Sequence, residues 1–154
     1  MNLIIFFLSL INLTSAGTFQ PSGIQFKSPV TVAPGLSASV VFSNLTNPRG
    51  ITVDSNQNIL VVERGLGVTV FSSVTSPSVG WERTIVVQNE NLTQGIQVDD
   101  GKLYVSTAGE VILYRYDANT KTVSNDPPVV VVSGLPPDGG THIPFLFYTH
   151  LSPT

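Results

Sequence analysis

The 154-residue sequence contains no cysteine and few positive charges. Without cysteine no disulfide can cross-link the chain, so its stability must come from a packed core. Lysine and arginine together number 7 against 10 acidic residues, which gives a formal net charge of -3. A chain of this charge offers no basic surface, and nucleic acid is therefore excluded as an expected partner.

The sequence also lacks an apolar run long enough to cross a membrane. Its most apolar stretch covers residues 3–13, whereas a membrane-spanning helix needs about 20 apolar residues. Thr14-Ser15-Ala16 follows, a pattern of small residues typical of signal-peptide cleavage, although no lysine or arginine precedes the run. We therefore expect residues 1–16 to be a signal peptide and residues 17–154 to be a secreted domain without membrane association. An uncleaved anchor or a buried strand is the alternative.

Two tripeptides match the acceptor pattern for N-linked glycans. They are Asn44-Leu45-Thr46 and Asn91-Leu92-Thr93. In a eukaryotic secretory pathway both asparagines are chemically competent acceptors, so we expect glycans at Asn44 and Asn91.

No segment shows a sustained helical period, whereas short β-branched runs recur between turn signals, which indicates an all-β protein. Gly50-Ile51-Thr52-Val53-Asp54 recurs about 45 residues later as Gly95-Ile96-Gln97-Val98-Asp99. The apolar runs that follow each copy recur at nearly the same spacing, so the sequence contains an internal repeat.

Each repeat is predicted to contain four strands. The first strands begin at Ile51 and Ile96; the later ones are predicted at 59–62, 68–71 and 84–87 in the first repeat and at 103–106, 111–116 and 129–133 in the second. A four-stranded repeat of about 40 to 50 residues is typical of a β-propeller blade, which needs a neighbour on each side to bury both faces. A β-sandwich with accidental internal similarity is the alternative.

The same spacing predicts the start of a third repeat at Gly140-Thr141-His142, shortly before Thr154. Two blades and the start of a third cannot close a ring, because the smallest propellers have about four blades. We therefore expect residues 17–154 to be a partial propeller, from a truncated or mis-spliced gene product, with an exposed sheet edge and an uncovered apolar face.

The first strand of each propeller blade lines the central channel, which predicts where polar side chains meet. The residues expected at one channel mouth are Arg49, Glu63, Arg64, Gln94, Gly109 and His142. Thr52, Gln97 and His142 share one repeat position and are expected to point into the channel, because alternate residues of a strand face opposite ways.

Three of these residues are candidates for chemistry. His142 is a candidate general base because an imidazole titrates near neutral pH; it is otherwise a solvated loop histidine. Arg64 and Arg49 are candidates for binding the carboxylates of an anionic cofactor, and the alternative for each is an ion pair with a nearby acid at the surface, which for Arg64 includes Glu63.

Other catalytic motifs are absent from the sequence. It has no glycine-rich phosphate loop, no metal-binding cluster of cysteine and histidine, and no nucleophile elbow. Asp99-Asp100 offers oxygen ligands for a hard cation, but a solvated turn accounts for the pair better.

Three segments resemble the opening blades of fungal quinoprotein sugar dehydrogenases of the pyranose and sorbosone type. They are Asn47-Pro48-Arg49-Gly50-Ile51-Thr52-Val53-Asp54, Asn58-Ile59-Leu60-Val61-Val62-Glu63-Arg64-Gly65 and Gly139-Gly140-Thr141-His142. The resemblance covers about residues 36–144. Its most specific part surrounds Glu63-Arg64-Gly65, since the Gly-Ile-x-Val-Asp repeat is common to many propellers.

The resemblance implies a six-bladed propeller that binds pyrroloquinoline quinone and calcium at the channel mouth and oxidises a sugar by hydride transfer to the quinone. It implies that His142 is the base for the sugar hydroxyl and that Arg64, with Arg49, binds the cofactor. The chain departs from the family after His142, because residues 144–148 lack the arginine that members carry there. Most cofactor contacts are expected from other blades, so the chain is expected to be inactive alone.

Two other functions fit the same pattern. One is a secreted propeller-like binding module without chemistry, which is favoured if His142 and Arg64 face away from each other. The other is a metal-dependent lactonase, which needs several carboxylates in the channel. The innermost strands offer Thr52, Gln97 and His142 instead, so the lactonase ranks last.

Overall fold

The computed structural model describes residues 6–10, 24–74 and 80–136, and every regular element within these ranges is a β-strand. The strands are β1 (Phe6–Leu10), β2 (Leu36–Val40), β3 (Pro48–Val53), β4 (Ile59–Glu63), β5 (Gly67–Val74), β6 (Gly80–Gln88), β7 (Ile96–Asp99), β8 (Lys102–Ser106), β9 (Val111–Asp117), β10 (Thr122–Val123) and β11 (Val129–Val132). These ranges contain no helix, and hence none that could span a membrane.

The strands fall into two compact units. The first contains β1 and β2, together with residues 73–74 and 80–82 at the adjoining ends of β5 and β6. In it β1 and β2 pair antiparallel, with Phe6 opposite Val40 and Leu10 opposite Leu36. Because β1 lies within the predicted signal peptide, cleavage after Ala16 would remove it; the cleavage itself stays a prediction.

The second unit contains the first repeat as a four-stranded sheet in the order β3-β4-β5-β6. Its second strand, β4, is buried along its whole length, and so are the first six residues of β5. Burial of both faces agrees with the unbroken apolar sequence at 59–62, since a strand with one solvated face alternates apolar and polar residues. These buried strands are the centre of a blade.

The second repeat forms a sheet in the order β7-β8-β9, with β10 and β11 both pairing with β9. The fourth strand predicted at 129–133 is confirmed as β11, but β10 precedes it on the same partner. Pro127 and Pro128 lie between the two segments and have no N–H groups for a sheet ladder, which accounts for the interruption.

The two repeats adjoin at their first strands, β3 and β7. A Cβ atom on Gly50 would overlap the backbone carbonyl oxygen of Gln94 and press on the side chain of Ile96. Only glycine permits this approach, which accounts for the glycine at the start of the first repeat. The shared core between the repeats consists of Leu60, Val62, Val68, Val70, Val87, Leu92, Ile96, Leu103, Val105, Ile112 and Tyr116.

The two first strands differ in what covers their apolar residues. Ile51 and Val53 of β3 are 46% and 40% exposed, whereas Ile96 of β7 is 8% exposed and packs in the shared core. The expected alternation is therefore present in β3, with Thr52 half-buried between two exposed apolar residues. The predicted uncovered apolar face lies along Ile51 and Val53, within the part of the chain that the structure describes.

Candidate functional site

Arg49 and Arg64 lie at the same end of the first repeat, which we call the mouth end because β3 and β7 begin there. Arg49 is the second residue of β3, and Arg64 follows directly after the last residue of β4. Pro48 of β3 pairs with Glu63 of β4, and the Arg64 amide donates to the carbonyl oxygen of Asn47 at 3.2 Å. The sheet thus brings the two predicted cofactor contacts onto neighbouring strands.

Both arginine side chains are solvent-exposed, and neither forms an ion pair with any residue in the described ranges. The alternative prediction, an ion pair between Arg64 and Glu63, is therefore wrong. The Glu63 carboxylate is 0% exposed and pairs with Arg83 of β6 instead. Two exposed guanidinium groups without acidic partners create a local excess of positive charge, which favours an anionic ligand.

Glu63 lies at the mouth end, where its carboxylate is buried and accepts three hydrogen bonds. Arg83 Nη2 and Thr69 Oγ1 each donate to Glu63 Oε1 at 2.6 Å, and the Thr46 amide donates to Oε2. We call Glu63, Thr46, Thr69 and Arg83 the Glu63 cluster. A buried carboxylate is stable only when donors replace its lost hydration, and these three donors do so.

Sequence reasoning missed Arg83 and Thr69, although the strand alternation contained a signal. Glu63 shares one face of β4 with Ile59 and Val61, both buried, so the alternation alone places its side chain in the interior. Thr69 is buried on the neighbouring strand, opposite Val61. Nothing comparable identifies Arg83, because its choice of partner depends on the pairing of β6 with β5.

The other predicted mouth residues fall on both repeats. Thr52 of β3 and Gln97 of β7 are half-buried at equivalent positions of the two adjoining strands. Gln94 is half-buried where the chain enters β7, and its carbonyl oxygen faces Gly50. Gly109 accepts a hydrogen bond from the Leu135 amide at 3.1 Å. His142 lies outside the described residues, so its position relative to Arg64 stays a prediction.

At the opposite end of the sheets, which we call the turn end, the two repeats are joined by polar contacts. Tyr116 Oη of the second repeat donates to Asp54 Oδ2 at 2.9 Å, and Asn58 Nδ2 donates to the same oxygen at 2.9 Å and to the Ala118 carbonyl at 3.1 Å. The Asp54 Oδ1 atom accepts from the backbone amides of Asn56 and Asn58. We call Asp54, Asn58, Tyr116 and Ala118 the inter-blade latch.

The latch depends on a neutral tyrosine. Burial raises the pKa of Tyr116, and the hydrogen bond to Asp54 and the charge of Asp54 raise it further. A raised pKa means that the folded state favours the protonated phenol. Its contribution to the free energy of unfolding is therefore fully present below the ordinary tyrosine pKa of about 10 and is lost as the pH rises above that value.

An open cavity of about 580 Å³ also lies at the turn end, lined by Ser55, Val98, Asp99, Asp100, Gly101, Tyr116, Asp117, Ala118 and Asn119. One of its carboxylates, Asp117, accepts hydrogen bonds from the backbone amides of Asn119 and Thr120, which lower its pKa. Within the described residues no three acidic, histidine or cysteine side chains form a cluster able to hold a metal ion. Asp99 and Asp100 lie at the turn between β7 and β8, and Asp100 is exposed.

Comparison with known proteins identifies the relatives of this chain. The sequence model of the TrAA12-like family matches residues 30–147. A pyrroloquinoline quinone-dependent pyranose dehydrogenase of Coprinopsis cinerea is 34% identical over 107 residues, which are 68% of this chain and 15% of that protein. A pyrroloquinoline quinone-dependent sugar dehydrogenase of Hypocrea jecorina is 29% identical over 139 residues, 86% of this chain and 32% of that protein.

Solved structures show the same relationship. The holo form of the pyranose dehydrogenase PQQ domain from Coprinopsis cinerea matches with a TM-score of 0.67 and 30% identity, covering 77% of this chain and 29% of that one. The calcium structure of the Trichoderma reesei family AA12 protein matches with a TM-score of 0.65 and 25% identity, covering 75% and 30%. These matches confirm the all-β, propeller-like fold of two consecutive blades. The chain spans less than a third of these relatives and belongs to the TrAA12-like family.

Proposed function

We propose that this chain forms the opening blades of a secreted sugar dehydrogenase that uses pyrroloquinoline quinone, and that its mouth end binds the quinone. The observation that carries the proposal is the pair of exposed arginines, Arg49 and Arg64, held on neighbouring strands without acidic partners in the described ranges. Both arginines lie within the sequence segments that resemble the quinoprotein sugar dehydrogenases.

The donor set at the mouth end fits this cofactor in charge and in hydrogen-bonding capacity. Pyrroloquinoline quinone carries carboxylate groups, and arginine binds carboxylates through two parallel N–H···O contacts. Arg49 and Arg64 are free to make such contacts because the acid nearest to them, Glu63, is already occupied by Arg83. The described residues do not fit a calcium site, so we assign no step to calcium.

The bound quinone would accept a hydride from the carbon of the sugar that is oxidised. For this chain the roles follow from position. Arg49 and Arg64 would orient the cofactor through its carboxylates, and His142 would take the proton of the sugar hydroxyl at an imidazole nitrogen. The hydride would come from a C–H bond and the proton from the hydroxyl on the same carbon, so that this alcohol becomes a carbonyl. The sugar is proposed only as a pyranose or a related small carbohydrate.

Dye-linked oxidation of a panel of sugars tests this function, with added pyrroloquinoline quinone and calcium. The assay compares residues 17–154 alone with an extended chain, defined as this chain continued by the remainder of the Hypocrea jecorina sugar dehydrogenase. We expect activity from the extended chain and none from residues 17–154. Two blades supply few of the contacts around a ring and cannot hold Arg64 and His142 in productive geometry.

Two results would contradict this expectation. Sugar oxidation by residues 17–154 alone would show that two blades suffice. An extended chain that binds a sugar but neither binds the quinone nor oxidises the sugar would favour the alternative, a secreted propeller-like binding module without chemistry.

Secretion and glycosylation complete the proposal and have a test of their own. Asn44 and Asn91 are both exposed, so neither acceptor is hidden by the fold. We expect the protein secreted from a fungal host to begin at Gly17 and to carry glycans at both asparagines. Mass spectrometry before and after glycosidase treatment measures both features. Retention of residues 1–16, or an unmodified mass at both sites, would contradict the secretory prediction.

A further inference from the structure

We propose that Glu63 is the positioning residue of the quinone site: its buried carboxylate joins the segment that leads into β3, where Arg49 lies, to β5, which follows the turn that carries Arg64. This inference rests on the proposed function, and it assigns a role to a residue that touches neither cofactor nor sugar. It explains why an acid lies directly beside an arginine meant for an anionic ligand.

The contacts of Glu63 connect every segment on which the two arginines depend. Its Oε2 atom accepts from the Thr46 amide, three residues before Arg49, and its Oε1 atom accepts from Thr69 of β5 at 2.6 Å. Its own carbonyl oxygen accepts from the Leu66 amide at 2.9 Å, which closes the turn that carries Arg64. The Glu63 side chain thus joins the entry to β3 to β5, and its backbone carbonyl closes the turn between β4 and β5.

Arg83 of β6 binds the same carboxylate. Its Nη2 atom donates to Glu63 Oε1 at 2.6 Å, and its side chain is only 28% exposed. The pair neutralises the buried carboxylate, so Glu63 does not form an ion pair with Arg49 or Arg64 within the described ranges. Their guanidinium groups remain available to a ligand. Glu63 therefore acts on the site through backbone positions and not through its charge.

This distinction can be tested because the two roles predict opposite changes in anion affinity for Glu63→Gln. If Glu63 contributed only background charge, Glu63→Gln would remove a negative charge near two arginines and strengthen the binding of an anion. If Glu63 positions the loops, the same variant loosens them and weakens binding despite the gain in positive potential.

Hydrogen exchange of the 154-residue chain measures the loops without any cofactor. In Glu63→Gln we expect the amides of Thr46 and Arg64 to exchange roughly 10-fold faster, because Thr46 loses its carboxylate acceptor and the Arg64 amide donates to the neighbouring Asn47. The matched control is Asp54→Asn, which also neutralises a buried carboxylate but at the turn end, and which should affect Asn56 and Asn58 instead. Thr69→Val is a milder second variant, with a smaller change at the same amides as Glu63→Gln.

Quinone affinity of the extended chain provides the second measurement, by fluorescence titration with pyrroloquinoline quinone. Glu63→Gln should raise the Kd about 10-fold or more, whereas Asp54→Asn should leave it within about 2-fold. Tighter binding by Glu63→Gln, or equal weakening by both variants, would overturn the proposal.

Fast exchange of the Thr46 and Arg64 amides in the unsubstituted chain would also overturn it, because the proposed contacts would then be absent. An extended chain that binds no quinone at all would contradict the proposed function. The exchange measurement would in that case decide the role of Glu63 by itself.

Discussion

Replacing both Arg49 and Arg64 with methionine is expected to weaken the binding of pyrroloquinoline quinone to the extended chain by about 100-fold or more. A hydrogen bond to a charged group typically contributes about 1.5–3 kcal/mol, and the double variant removes two such donors. Methionine keeps the length and apolar character of the side chain while it removes the charge. Fluorescence titration measures the Kd, and the affinity that remains should be much less sensitive to salt than that of the unsubstituted chain.

Arg115 provides the matched control for this experiment. It is exposed on β9, towards the turn end, where it pairs with Asp126 at 3.3 Å. Arg115→Met removes the same kind of charge from the sheet of the second repeat, towards the turn end, and we expect the Kd of this variant to stay within about 2-fold. Equal weakening by Arg115→Met would show that net charge, rather than the geometry of the mouth end, controls quinone affinity.

Replacing His142 with alanine is expected to lower the turnover of the extended chain by about 100-fold or more while quinone affinity is retained. The expectation follows from the repeat, which gives His142 the same position as Thr52 and Gln97, the half-buried residues of the two adjoining first strands. A base within reach of the sugar hydroxyl accelerates proton removal, and alanine cannot replace it. Steady-state dye reduction measures the turnover number.

The pH dependence identifies the same group independently. An imidazole accepts a proton only in its neutral form, so turnover should fall as the pH decreases into the range in which histidine is protonated. His142→Ala should lose this dependence along with its activity. His150→Ala is the control, as it replaces the other histidine of the sequence. A fully active His142→Ala variant would show that the base is a different residue.

The fold could be predicted from the sequence because its main signal is repeated. The Gly-Ile-x-Val-Asp segments mark the starts of β3 and β7, and the unbroken apolar run at 59–62 marks a strand buried on both faces. Each of these signals lies within a few consecutive residues, so one repeat is enough to predict its strands, and the second repeat supports the prediction. The division of the fourth strand into β10 and β11 was not predicted, since the pattern of the first repeat contains no equivalent of Pro127 and Pro128.

The site was predictable only in part, because its decisive contacts join residues distant in sequence. The shared end of β3 and β4 follows from an antiparallel hairpin, so the proximity of Arg49 and Arg64 could be inferred. The pairing of Glu63 with Arg83 depends on the position of β6, because Arg83 lies 20 residues after Glu63 in the sequence, and no local pattern specifies that position. Gly67 is similar: the sequence predicts a turn there, but its close approach to the Val87 carbonyl appears only in three dimensions.

The inter-blade latch has a consequence for how blades could be exchanged between propellers. Its acceptor, Asp54, belongs to one repeat and its donor, Tyr116, to the next, so the sequence repeat and the cooperative unit do not share a boundary. A donor segment cut at Gly50 and Gly95 would carry Asp54 into a new ring without its phenol partner and would leave a buried carboxylate short of donors. Because Tyr116 lies 62 residues after Asp54, a segment one repeat long cannot contain both, and a transplantable unit must include parts of both repeats.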